Sequence, residues 1–172
     1  VVRLNGSDVL ACQTLVAEDC TVEVPETEET VVLTRGISFG DVPVLDPVAS
    51  GDLLAVDIGT TTVAAFLLDS ETGEQLATAS LLNPQSSYGA DVISRIQAAM
   101  DGSLEDLQKL ICDGVNALVE TLCEKAGRSP EDIGVVSLVG NPAMQQLFLG
   151  VDPKNLASVP FDPVLTETKL AA

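Results

Sequence analysis

An apolar stretch runs from Leu53 to Phe66 and is interrupted once, by Asp57-Ile58-Gly59-Thr60-Thr61-Thr62. Leu53-Leu54-Ala55-Val56 leads in, and Val63-Ala64-Ala65-Phe66 leads out. Two strands this apolar, so close in sequence, point to neighbours in a largely buried sheet joined by a tight turn. That turn concentrates one carboxylate, one glycine and three hydroxyls. Oriented backbone N–H groups and hydroxyls in a concave turn make a cradle for phosphate oxygens. Asp57 can hold a magnesium ion through its waters, or it can cap nearby N–H groups as a plain turn carboxylate. Gly59 is expected to permit a close backbone approach or a positive φ. Thr60 and Thr61 are the expected hydroxyl donors, with Thr62 opening the second strand.

Around this turn the spacing predicts strands over 53–58, 62–68 and 75–82, an antiparallel meander with tight turns. Asp69-Ser70-Glu71-Thr72-Gly73 is the second of those turns. A loop follows over 83–89, and Asp91 is placed to cap a helix with apolar positions Val92, Ile93, Ile96, Ala99 and Met100. Arg95 lies one turn beyond Asp91. That spacing allows an i,i+4 salt bridge, or leaves Arg95 facing a cleft or a partner.

A longer helix is expected after Ser103. Its helical period runs through Leu104, Leu107, Leu110, Ile111, Val115, Leu118, Val119, Leu122 and Cys123, and Gly127 is its stop. Residues 135–139 are almost wholly apolar and read as a central, parallel strand. This strand ends at Gly140-Asn141-Pro142, where Asn141 caps a short helix over 143–149. Strand ends of this kind collect ligands in α/β folds, so Gly140 and Asn141 join the candidate site. Before residue 53, short strand-like pieces at 9–12, 14–16 and 21–24 precede a Gly- and Pro-containing linker. The expected organisation is therefore 1–25, a linker over 26–52, and a domain over 53–172.

Composition narrows the chemistry. The chain has 172 residues, no histidine, no tryptophan, and 26 acidic against 8 basic side chains, for a formal charge of −18. Lack of histidine removes Ser–His and Cys–His catalysis. The charge disfavours nucleic acid and anionic membranes, and no apolar run reaches the roughly 20 residues needed to cross a bilayer. Neither nucleic acid nor a membrane is an expected partner. Four scattered cysteines do not form a secreted disulfide framework. Cys112 and Cys123 share a helix but sit about 16 Å apart along its axis, so both are expected as small core residues. This cysteine usage makes a reducing cytoplasm the default, and the lack of both an initiator Met and a signal-peptide profile suggests a soluble piece of a longer protein.

Four segments taken together resemble the reductive activators of corrinoid enzymes, ATP-dependent iron–sulfur proteins of the acetate and sugar kinase, heat-shock chaperone and actin superfamily. They are Ala55-Val56-Asp57-Ile58-Gly59-Thr60-Thr61-Thr62-Val63-Ala64, Asn83-Pro84-Gln85, Gly89-Ala90-Asp91-Val92-Ile93-Ser94-Arg95-Ile96 and Gly140-Asn141-Pro142-Ala143-Met144. Leu10-Ala11-Cys12-Gln13 is similar to the last cluster ligand of that family's ferredoxin domain. The resemblance implies an α/β fold, a ribonuclease-H-like subdomain, preceded by a short β remnant of a ferredoxin-like domain. It implies ATP and Mg at Asp57, Gly59, Thr60, Thr61, Gly140 and Asn141, with Asp57 as the catalytic carboxylate. It also implies Cys12 as one ligand of a [2Fe–2S] cluster whose other three cysteines lie upstream. The second phosphate loop and the adenosine loop should lie beyond Ala172.

The implied partners are a corrinoid protein, reduced from Co(II) to Co(I), and an electron donor; a homodimer stays open. With half a nucleotide site, these 172 residues should bind Mg-ATP weakly or not at all. Gln145-Gln146 stands where the resemblance leads one to expect a histidine. Two other readings share these residues: a small-molecule kinase of the same superfamily, and a non-catalytic interaction module.

Overall fold

The computed structural model describes residues 2–23 and 50–166. Contacts divide the chain into two units, Val1–Val31 and Val32–Ala172.

In the first unit, β1 (Val2–Leu4) and β2 (Ser7–Val9) form a hairpin, and β3 (Val22–Glu23) adds to the other side of β1. Asn5 and Gly6 both have positive φ, 47° and 84°, as a two-residue hairpin loop requires. Two expectations fail in this unit. Residues 11–13 form a 3-10 turn instead of a strand, and 14–16 form none. Leu15 is 92% exposed, so no packing partner holds that stretch extended. The short β3 is an edge strand, as expected. Cys12 lies in the 3-10 turn Ala11–Gln13; its side chain is outside the described residues, as is the stretch 24–49 that holds most of the expected linker.

The second unit is a four-stranded mixed sheet with helices on one face. β4 (Asp52–Ile58), β5 (Thr62–Leu68) and β6 (Gln75–Leu82) run as an antiparallel meander, and β7 (Ile133–Gly140) lies parallel to β4, giving the order β6-β5-β4-β7. Alternation sends Leu54, Val56, Ile58, Val63, Ala65, Leu67, Ala77 and Ala79 to the helix-covered face. Across from them, α2 (Leu104–Ala126) lays down Leu107, Ile111, Val115, Leu118 and Leu122. Each such side chain contributes roughly 1.5–3 kcal/mol on burial. α1 (Val92–Ala98) and α3 (Pro142–Phe148) complete that layer. Gly127, at φ 64°, ends α2 in a left-handed cap. Before α2, Gly102 at φ 102° separates it from α1.

Three expectations need correction. β7 is an edge strand among the described residues, with Val136 and Val139 exposed. An apolar run reports that a strand's faces are apolar; it does not report how many neighbours pair with it. Ile93 in α1 and Met100 in the turn after it are exposed, while Arg95 is buried beside Ile96. Cys123 is buried but Cys112 only half-buried. Burial first, then nearby carboxylates, pushes both thiols up, which makes them poor nucleophiles. No described helix is long and apolar enough to cross a membrane.

Candidate functional site

The link between β4 and β5 is closed by Gly59, whose N–H donates to the Thr62 carbonyl at 3.0 Å. A Cβ on Gly59 would lie 2.6 Å from that same oxygen. Glycine is required by this close approach and not by a left-handed φ.

All three carbonyls of the turn are held from behind. Asn83 Nδ2 donates to Gly59 O at 2.8 Å, and the Asn83 backbone N–H donates to Thr61 O at 2.8 Å. Arg95 Nη2 donates to Thr60 O at 2.6 Å. In a planar trans peptide the N–H points opposite to the preceding C=O. Drawing the carbonyls of Gly59 and Thr60 inward therefore turns the N–H groups of Thr60 and Thr61 outward. Neither has an acceptor among the described residues. Thr61 is exposed and Thr60 half-buried, so the turn presents donors to solvent.

Gly140 and Asn141 close the site from the side. Gly140 pairs with Ile58, and a Cβ on it would meet Ile58 O at 2.9 Å. Asn141 is the helix cap that was expected, and it also reaches the turn. Its Oδ1 caps α3 by accepting from Met144 N at 3.0 Å, and its Nδ2 donates to Thr60 Oγ1 at 3.2 Å. Asp57 is next to last in β4, just before the turn. β4 alternation puts Leu54, Val56 and Ile58 inside and leaves Asp57 exposed on the opposite face, beside Ala64 and Val139. No burial penalty is incurred there, and the carboxylate faces solvent with no hydrogen-bond partner among the described residues.

Asn83 and Met144 were not foreseen as members of this site, and Arg95 was foreseen only through the alternative that it faces a cleft or a partner. Arg95 and Asp91 form no ion pair among the described residues. Asp91 instead caps α1, accepting from Ser94 N at 2.8 Å, and this hydrogen bond chiefly lowers its pKa. Arg95 is fully buried. Besides Thr60 O, it donates from Nε to Gly89 O at 2.9 Å and from Nη1 to Met144 Sδ at 3.5 Å. Burial lowers its pKa and Asp91 opposes that; a guanidinium stays protonated regardless. A sequence signal existed: position 95 falls three residues after Val92 and four before Ala99, on the apolar side of α1. Of the two glutamines after Met144, Gln145 donates to Gly140 O at 2.7 Å. Gln146 is buried, and its amide atoms have no partner among the described residues.

The model of the RACo middle region matches residues 53–172. The chain belongs to this family, the reductive activators of corrinoid proteins. It is 39% identical over 110 residues to the corrinoid activation enzyme RamQ of Eubacterium limosum, covering 63% of this chain and 18% of RamQ. A solved structure titled reductive activator for corrinoid, iron–sulfur protein matches with a TM-score of 0.65 at 36% identity, covering 67% of this chain and 19% of that one. A 42-residue stretch, 24% of this chain and 13% of the relative, is 49% identical to a Ralstonia protein. That protein is the ferredoxin–NAD(P)(+) reductase component of naphthalene 1,2-dioxygenase/salicylate 5-hydroxylase systems. The chain thus spans about a fifth of the RACo relatives it matches, 18% and 19% of their lengths.

Proposed function

We propose that this RACo middle region carries the first phosphate loop of an ATP-driven activator that reduces a corrinoid protein from Co(II) to Co(I). The observation that carries the proposal is the clamped turn, whose carbonyls at Gly59, Thr60 and Thr61 are all tied inward. A turn so held keeps its outward N–H groups aimed before any ligand arrives, and preorganised donors need no rearrangement on binding. In this reading residues 53–172 form the first half of a kinase/actin-like ATP-binding domain of the ribonuclease-H-like type. Residues 1–25 are the end of a ferredoxin-like domain, and the protein works in the cytoplasm.

The donor set fits a nucleotide phosphate. The Thr60 and Thr61 N–H groups and the Thr61 hydroxyl reach phosphate oxygens, while Asn141 orients the Thr60 hydroxyl. Asp57 would hold Mg through its waters, and Gly140 keeps β7 close enough to bring Asn141 to the turn. Bound Mg-ATP supplies the free energy of hydrolysis that an uphill one-electron reduction needs. The cluster is a different matter. A [2Fe–2S] centre takes four thiolates, whereas this chain holds Cys12 and Cys20 in one unit and Cys112 and Cys123 on α2. Cys12 is proposed as a single ligand completed by residues outside this sequence, and no step is derived through the cluster.

The test uses the full-length activator with its corrinoid protein and an electron donor. Asp57→Ala should abolish ATP-stimulated Co(II) reduction and leave the visible spectrum of the cluster unchanged. Loss of both, or of neither, overturns the assignment.

A further inference from the structure

We infer that Arg95 is the positioning residue of the phosphate turn: its buried charge holds the Thr60 carbonyl inward and gives the turn its net positive field. The inference rests on the phosphate-loop reading above. The guanidinium is fully buried, yet its hydrogen bonds go to two backbone carbonyls, Gly89 O and Thr60 O, and to the Met144 sulfur. None goes to a carboxylate. Buried charges are ordinarily paired; this one is hydrogen-bonded to dipoles alone and feels the Asp91 carboxylate only through space, so it keeps unspent attraction for an anion.

The geometry directs that attraction to the outward side of the turn. Thr60 O lies 2.6 Å from Nη2, and the same peptide carries the Thr61 N–H on its far side. The cation therefore polarises the very bond that faces the ligand, through one planar unit. Two neighbours reinforce the arrangement. Asn83 Nδ2 shares the Met144 sulfur with Arg95 while holding Gly59 O, and the Gly89 carbonyl fixes the guanidinium from the α1 side. A Cβ at Gly89 would collide with Ser94 Cβ, so only glycine lets the loop approach α1 closely enough to reach Arg95. The nearest acidic group on the helix, Asp91, is committed to the Ser94 N–H and hydroxyl. In a chain of charge −18, a buried cation behind the turn is what makes a polyanionic ligand acceptable there.

Two substitutions in the full-length activator separate charge from shape. Arg95→Gln keeps donors but removes the charge; Arg95→Lys keeps the charge with a different shape. The readouts are the dissociation constant for Mg-ATP, the KM and kcat of ATP-stimulated Co(II) reduction, and the melting temperature. Expected for R95Q is a rise in Kd and KM of about tenfold or more, with kcat changed less. R95K should stay within about threefold of wild type. A purely structural role predicts instead that both variants lose affinity in step with their melting temperatures. That outcome, or wild-type affinity in R95Q, overturns the inference. Should R95Q fail to fold, R95K decides, and a tenfold loss there overturns it. If the wild-type protein itself does not bind Mg-ATP, the phosphate-loop reading fails and takes this inference with it.

Discussion

Gly59 shows how little room the site has. Its place in the turn depends on a single backbone oxygen, Thr62 O, that a Cβ would meet at 2.6 Å. The obstacle is main chain and cannot rotate away. Gly59→Ala should therefore destabilise the second unit by about 1–3 kcal/mol, as overpacking in a tight site does. A lowered urea midpoint with unchanged slope would register it, and the donors of Thr60 and Thr61 would lose their aim. Asn83 and Arg95 act on the same turn from outside, from 24 and 35 residues away in sequence. Asn83 alone supplies two of the three inward hydrogen bonds. At this scale the turn's shape is set by groups distant from it in sequence, two side chains and one backbone N–H.

Element boundaries rest on caps whose chemistry is testable by pH. Asp91 begins α1 with its carboxylate accepting from Ser94, and Asp69 closes the β5–β6 turn by accepting from Glu71 N and Thr72 N at 3.0 and 2.9 Å. Hydrogen bonds from Ser94 and from Thr72, respectively, lower the two pKa values. A lowered folded-state pKa means that the stabilisation is complete above the unfolded value. It is lost as pH falls through the lower folded one. Asp91→Asn retains an acceptor but does not titrate. Wild type should thus melt above the variant at pH 7, with the gap closing as pH drops below about 4. A gap that widened in acid would refute the assignment. α2 needs no such help, since its helical stripe spans Leu107 to Leu122 and Gly127 stops it.

Over the whole chain, 26 acidic side chains face 8 basic ones, and at least one of the cations, Arg95, is buried out of reach of the surface. Self-repulsion on this scale opposes compactness and is screened by salt. Raising NaCl from about 0.01 to 0.15 M shortens the Debye length from roughly 30 to 8 Å. The melting temperature at pH 7 should rise over that interval; a fall would mean that the surface ion pairs, such as Lys109–Asp113, outweigh the repulsion.

Legibility followed the range of the forces involved. The bounds of β5 and β6, the start of α2 after Ser103, its stop at Gly127 and the caps at Asp91 and Asn141 were all readable. Periodicity and capping act within a few residues. The turn itself was legible for the same reason, as were Gly140 and Asn141 beside it. The hidden parts depended on pairing between distant segments. Only the register of β4 against β5 and β7 decides that Asp57 faces out while Val56 and Ile58 face in. Only the sheet order makes β7 an edge. Only the packing of α1 behind the turn sends Arg95 to Thr60 O instead of to Asp91. Local sequence determined the Gly-Thr turn and the elements around it; tertiary structure decided which groups hold it, because a backbone carbonyl gives no sequence signal of what will bind it.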